Sequence, residues 1–147
     1  MLIIMAKLRE FSESLPMLLL KAREQALRRF RPLLRDHGLT EQQWRVLRAL
    51  QDIGPLTAAQ LSKECAILAP SMTRIVRRLT DGKMVRTKRS KADQREVEVS
   101  IAARGASVLE SLGPGVEEQY AFIREQLNPS EYTALTRALK RLIAIEE

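Results

Sequence analysis

The sequence predicts a mainly α fold with a single small β-hairpin. Three observations carry that prediction. Three segments open with a capping residue followed three positions later by Gln or Glu: Thr40 with Gln43, Thr57 with Gln60, and Asn128 with Glu131. That pairing satisfies the free amides at a helix start. Met72, Ile75, Val76 and Leu79 recur at helical spacing. Glu96 to Ile101 alternates polar and apolar, the mark of a half-buried strand.

Taken in order, the first long helix is predicted from about Ser14 to His37. Leu18, Ala22, Phe30 and Leu33 share a face, and Leu15, Leu19, Leu20, Leu27 and Leu34 broaden it. A helix apolar over so much of its surface needs partners on two sides. Gly38 suits a helix stop, and Pro32 is predicted to kink the last turn by removing a backbone donor. Short helices follow near 41–53 and 58–65, with Leu39/Trp44 and Leu56/Leu61 as apolar staples across their starts. Ala66-Ile67-Leu68 is the turn into a third helix, which begins at Pro70 and ends before Gly82. Met84–Thr87 and Glu96–Ile101 are the strands, with Lys88–Arg95 as the charged tip between them. Helix resumes from Ala102 with a predicted break at Gly113-Pro114-Gly115, and a last helix spans 129–146 with Pro129 at its first position.

A chain of 147 residues makes one domain. No apolar run approaches the roughly 20 residues of a membrane span, and the opening MLIIMAKLRE is a short apolar patch without a signal-peptide pattern. The lone cysteine, Cys65, forbids an internal disulfide and fits a reducing cytoplasm. Cys65 reads as a small core residue or, alternatively, as a thiol sensor. No metal-ligand spacing, glycine-rich phosphate loop or nucleophile–histidine frame is present, so neither catalysis nor a cofactor is expected.

Charge is concentrated in one place. Residues 71–95 hold nine basic and two acidic side chains, which equals the whole net charge of +7. Such a block is either a solvated face or a surface for nucleic acid. Here Ser71, Thr73, Arg74, Arg77 and Arg78 fall opposite the apolar face of their helix, and Arg86, Lys88, Arg89, Lys91, Asp93 and Arg95 continue the charge along the hairpin. An Arg-rich helix fits the DNA major groove. The hairpin is then a wing, and Asp93, two residues from Arg95, can hold the guanidinium for a narrow minor groove or form only a surface ion pair. These are the parts of a winged helix-turn-helix. The first and last helices carry more apolar surface than one small domain covers, which predicts a homodimer. The expected layout is a single domain over residues 1–147, with 39–105 as the DNA-binding lobe and 12–38 and 116–147 as dimerisation helices.

Three segments resemble the MarR family of bacterial regulators: LTEQQWRVLRAL (39–50), TAAQLSKECAILAPSMTRIVRRLTDGKMVR (57–86) and KADQREVEVSIAARG (91–105). The resemblance implies a dimeric DNA-binding protein on a pseudo-palindromic operator, with the wing arginine role falling on Arg95 and the recognition role on Ser71 to Arg78. One departure is that Ser-Ile-Ala-Ala stands where Leu-Thr usually precedes the next helix, which removes a Thr cap. LLLKAREQALRRFRPLLRDHGLTEQQWRVLR (18–48) and CAILAPS (65–71) are similar to family members that repress 4-hydroxyphenylacetate catabolism, and the FRP element accounts for Pro32. That implies a small aromatic carboxylic acid as inducer; a thiol-oxidation or other phenolic sensor is the alternative. For such a ligand, Leu18 and Trp44 are expected to enclose the ring, Arg23 or Arg45 to pair with the carboxylate, and Ser14 or His37 to bond the phenol. The bland alternatives are a core Trp44, a helix-capping His37, and arginines paired with Glu24, Asp36 or Glu41.

Overall fold

The computed structural model describes residues 7–146; the apolar start of the opening segment, residues 1–6, lies outside them. A short 3-10 turn at Phe11–Glu13 leads into helix α1 (Leu15–Asp36). Helix α2 (Glu41–Ile53), strand β1 (Leu56–Thr57), helix α3 (Ala58–Cys65) and helix α4 (Ala69–Asp81) follow. The hairpin is β2 (Val85–Arg89) and β3 (Val97–Ile101), and the chain closes with α5 (Ala103–Leu127) and α6 (Pro129–Ile143).

The expected caps form. Thr40 and Thr57 each accept the amide of the Gln three residues on, and each Gln side chain returns the bond. Asn128 caps α6 through the Glu131 amide. Gly38, at φ +72°, and Ala66, in the left-handed region, end α1 and α3. The start of α5 survives without its Thr. Ala102 caps with backbone alone, and its amide donates to the Met84 carbonyl at 2.9 Å.

One expected interruption, the break at Gly113-Pro114-Gly115, is absent. Helix α1 continues through Pro32 to Asp36, and α5 runs unbroken through Gly113-Pro114-Gly115. Both prolines stand on exposed faces, as do Arg28 and Glu110, whose carbonyls lose their intrahelical donor, so water can serve those carbonyls. Leu112 and Val116, buried on the other face of α5, hold the helix against the core. Gly115 has a packing reason to be glycine: a Cβ there would lie 2.9 Å from the methyl carbons of Leu33 on α1.

The sequence pattern also hid β1. It adds a third strand, in the order β1-β3-β2, by pairing Leu56 with Val99 and Thr57 with Glu98. The core threads the middle of the molecule, where Leu34, Val46, Leu47, Leu61, Met72, Leu79, Val85, Val99 and Leu112 are all nearly inaccessible. The two ends differ. Helix α6 buries none of its residues, and Phe11, Leu15, Leu18, Leu20, Leu135, Ile143 and Ile145 are exposed.

Candidate nucleic-acid interface and effector cleft

The apolar stripe of α4 buries Met72, Ile75 and Leu79, which turns Thr73, Arg74, Arg77 and Arg78 to solvent with Ser71 half-buried. The Thr73 hydroxyl donates to the Ala69 carbonyl at 3.2 Å and keeps its oxygen free to accept. Arg86, Lys88 and Arg89 continue the exposed basic surface along β2. Register places Lys88 opposite Glu98, and their charges meet at 3.6 Å.

The wing tip is built by hydrogen bonds. Ser90 is 6% exposed, and its hydroxyl accepts the amides of Ala92 at 3.2 Å and Asp93 at 3.5 Å. The Ser90 amide donates to the Glu96 carbonyl at 2.8 Å, and the Arg89 guanidinium donates to the Gln94 carbonyl at 2.8 Å. Asp93 does not hold the Arg95 guanidinium. Its Oδ1 accepts the Arg95 backbone amide at 3.0 Å, because a carboxylate two residues upstream reaches an amide in a tight turn more readily than it reaches a long side chain. Among the described residues, Arg74, Arg77, Arg78, Arg86, Lys91 and Arg95 make no side-chain hydrogen bond or ion pair.

A second feature lies between α2 and α5: a cleft of about 530 Å³ lined by Trp44, Arg48, Asp52, Leu109, Leu112 and Val116, among others. Trp44 stacks on Phe30 with ring centroids 5.6 Å apart, and Tyr120 tilts against the same Phe30 at 5.2 Å. Arg48 reaches Asp52 at 3.6 Å in an exposed pair.

Of the six residues expected to form an effector site, only Trp44 lines this cleft. Arg45 is spent elsewhere. It grips Glu41 with two bonds of 3.1 and 2.8 Å and donates to the Cys65 carbonyl at 2.6 Å. Arg23 joins the same Glu41 at 3.1 Å. His37 is the C-cap of α1, with Nδ1 at 2.9 Å from the Leu33 carbonyl. Ser14 stands before the first turn of α1, and Leu18 is half-exposed about 18 Å along the helix from Phe30, too far to meet Trp44 within one chain. Arg48, not among those six, also lines the cleft. The signal was available: one helical turn after Trp44, it stands on the same face, whereas Arg45 points about 100° away.

Cys65 is 3% exposed, and its thiol donates to the Arg45 carbonyl at 3.7 Å. Burial pushes the thiol pKa up, and the nearby Arg45 charge only partly opposes it.

Three short helices with a basic exposed third member, followed by a basic hairpin, define a winged helix-turn-helix DNA-binding regulator. The MarR family model matches residues 37–96. The chain is 35% identical over 129 residues to the HTH-type transcriptional regulator FarR of Neisseria gonorrhoeae, covering 88% of each. It is 36% identical over 134 residues to the homoprotocatechuate degradative operon repressor of Escherichia coli, covering 90% of each. The crystal structure of NadR in complex with 4-hydroxyphenylacetate superposes with a TM-score of 0.82 at 33% identity, over 96% of this chain and all of that one. This chain belongs to the MarR family and is a transcriptional repressor of that type.

Proposed function

We propose that the chain acts in the cytoplasm, without catalysis, as a homodimer on a pseudo-palindromic operator, and that a small aromatic carboxylic acid in the α2–α5 cleft releases it. The carrying observation is the free basic surface that joins α4 to the wing. Residues 39–105 form the DNA-binding lobe, with Arg74, Arg77 and Arg78 toward the major groove and Arg95 toward the minor groove. Arg86, Lys88, Arg89 and Lys91 take phosphates, and Ser71 and Thr73 take phosphates or bases. Residues 12–38 and 116–147 form the dimer arm, and their exposed Leu, Ile and Phe side chains supply an apolar interface.

The E. coli relative is the repressor of a homoprotocatechuate degradative operon, and NadR is seen with 4-hydroxyphenylacetate. Both support an aromatic acid as effector and an aromatic-acid catabolic operon as target. The cleft suits such a ligand. Trp44 and Leu109 offer apolar walls, and Arg48 can exchange its exposed Asp52 partner for a ligand carboxylate. Ser14 and Leu18 reach such a site only from a second copy. The cleft separates α2, in the DNA-binding lobe, from α5, which leads to the dimer arm. A ligand that prefers one spacing of these helices shifts the dimer between operator-competent and incompetent states.

The test is operator release by 4-hydroxyphenylacetate in wild type, Arg48→Ala and Arg45→Ala. Release by the wild type that is lost in Arg48→Ala, with the carboxamide analogue inactive on both, supports the reading. No release at millimolar ligand overturns the effector; equal release by acid and amide overturns the role of Arg48.

A further inference from the structure

The leading end of α4 breaks the usual rule for a helix start. Its N-cap is Leu68, with no side-chain cap hydrogen bond, where Ser, Thr, Asp or Asn is strongly preferred. Ala69 and Pro70 follow, so the first turn offers no polar side chain until Ser71. All three apolar residues are exposed, and Leu68 is 79% exposed. Leu68 is therefore no core residue. The core beneath is supplied by its neighbours, Ile67 at 6% and Met72 at 1%.

A lone exposed leucine needs no explanation. This one stands with Ala69 and Pro70 at the tip of the helix that bears Thr73, Arg74 and Arg77, immediately before the block 71–95 that holds the chain's net positive charge. In a helix-turn-helix the N-terminal residues of the recognition helix meet the base edges. Among the edges in the major groove, the only apolar group is the 5-methyl of thymine. An apolar tip on an otherwise cationic reading surface matches that group among the base edges.

We propose that Leu68, with Ala69 and Pro70, is a specificity-determining contact that selects a thymine 5-methyl in each half-site. The inference rests on the DNA-binding reading above and adds a base preference to it. Arginines at the groove floor favour guanine, and phosphate contacts carry no sequence information. The apolar tip thus supplies an independent reading of an A·T pair at the edge of the half-site read by Arg74.

The experiment starts from the tightest duplex that the wild-type protein selects from a random pool. Each thymine is replaced singly by uracil, which removes only the methyl and keeps every hydrogen-bonding group. One thymine per half-site should show a loss of about fourfold, the worth of one buried methyl, and about fifteenfold when both half-sites are changed. Leu68→Ser is the matching protein variant. It supplies the missing helix cap, so its thermal stability should equal or exceed wild type. It should bind thymine and uracil duplexes equally at that position, while its salt dependence stays as in wild type. The proposal is overturned if no thymine is sensitive, or if Leu68→Ser retains the discrimination. Loss of the thymine preference only together with loss of stability would also overturn it. If the protein shows no salt-sensitive binding to any duplex, the DNA-binding reading fails first and this one with it. Intact binding without methyl discrimination removes this proposal alone.

Discussion

The carboxylate of Asp93 accepts the backbone amide of Arg95 at 3.0 Å, and the Arg95 guanidinium remains unpaired. Asp93 therefore shapes the wing tip by hydrogen bonding and leaves the arginine charge available to DNA. Asp93→Asn keeps an oxygen acceptor and removes a negative charge from a surface that faces phosphates. It should bind operator as tightly as wild type or better. Asp93→Ala removes the acceptor and should weaken binding about fivefold, the worth of one net hydrogen bond. Gel-shift titrations of both variants decide the point. Equal losses would mean that the carboxylate acts through its charge.

Binding to duplex DNA should fall steeply with salt, since about six to ten phosphate contacts per dimer release counterions. Arg74→Ala should cost ~1–3 kcal/mol on the selected duplex and relax preference at one base pair in each half-site. Arg95→Ala should instead cost most where the flanks are A·T-rich, as the proposed role in reading groove width requires. Affinities on a panel of flank and half-site variants check this. A uniform loss in both variants would contradict the division of labour between helix and wing.

Cys65 should be inert in the folded protein. Its thiol is buried and its pKa is raised, so little thiolate exists near neutral pH. Alkylation should proceed only under unfolding conditions, and operator binding should survive mild peroxide. The linkage has a definite sign. The folded thiol keeps its proton where the unfolded one, with a pKa near ~8.5, gives it up. Its contribution is thus complete below the unfolded pKa and is lost as pH rises through the raised folded value. Cys65→Ala should remove that alkaline component from urea denaturation midpoints. Fast native-state alkylation would restore the thiol-sensor alternative.

The glycines flanking Pro114 should respond in opposite directions. Nothing lies within 4 Å of a Cβ at Gly113, so Gly113→Ala should stabilise by up to ~1 kcal/mol through helix propensity. At Gly115 the new methyl meets Leu33 at 2.9 Å, and Gly115→Ala should destabilise by ~1–3 kcal/mol. Urea denaturation of the two variants measures both. A stabilising Gly115→Ala would show that α1 and α5 separate without cost.

Much of the DNA-binding surface was legible because local rules govern it. The caps at Thr40, Thr57 and Asn128 form as their spacing requires, and the Met72/Ile75/Leu79 stripe sets which face of α4 is basic. What stayed hidden depends on distant partners. Leu56–Thr57 is too short to alternate, and only β3 makes it a strand. Gly113-Pro114-Gly115 reads as a break until Leu112 and Val116 are seen holding it to the core. The cleft between α2 and α5 was the least legible feature. Glu41 collects Arg23 from another helix as well as Arg45 one turn on, and the spacing of Trp44 and Arg48 does not by itself show that α5 faces them across a cleft.

The unbroken course of α5 has a mechanical consequence. A broken helix would absorb a disturbance at its break; a continuous one of 25 residues is a strut about 37 Å long. Two glycines bed that strut. A Cβ at Gly105 would collide with the Met84 carbonyl next to the wing, and Gly115 rests on Leu33 of α1. The cleft touches the strut from Ala106 to Glu117, mostly between these supports. On the proposed reading, prising α2 away from α5 there would turn the strut about Gly115 as a fulcrum. Gly105 lies about 15 Å along the helix from that fulcrum, so about ten degrees of rotation would move the wing end of the strut by about 2–3 Å, with no loop melting and no hinge to tune. An effector on this chain would work by leverage.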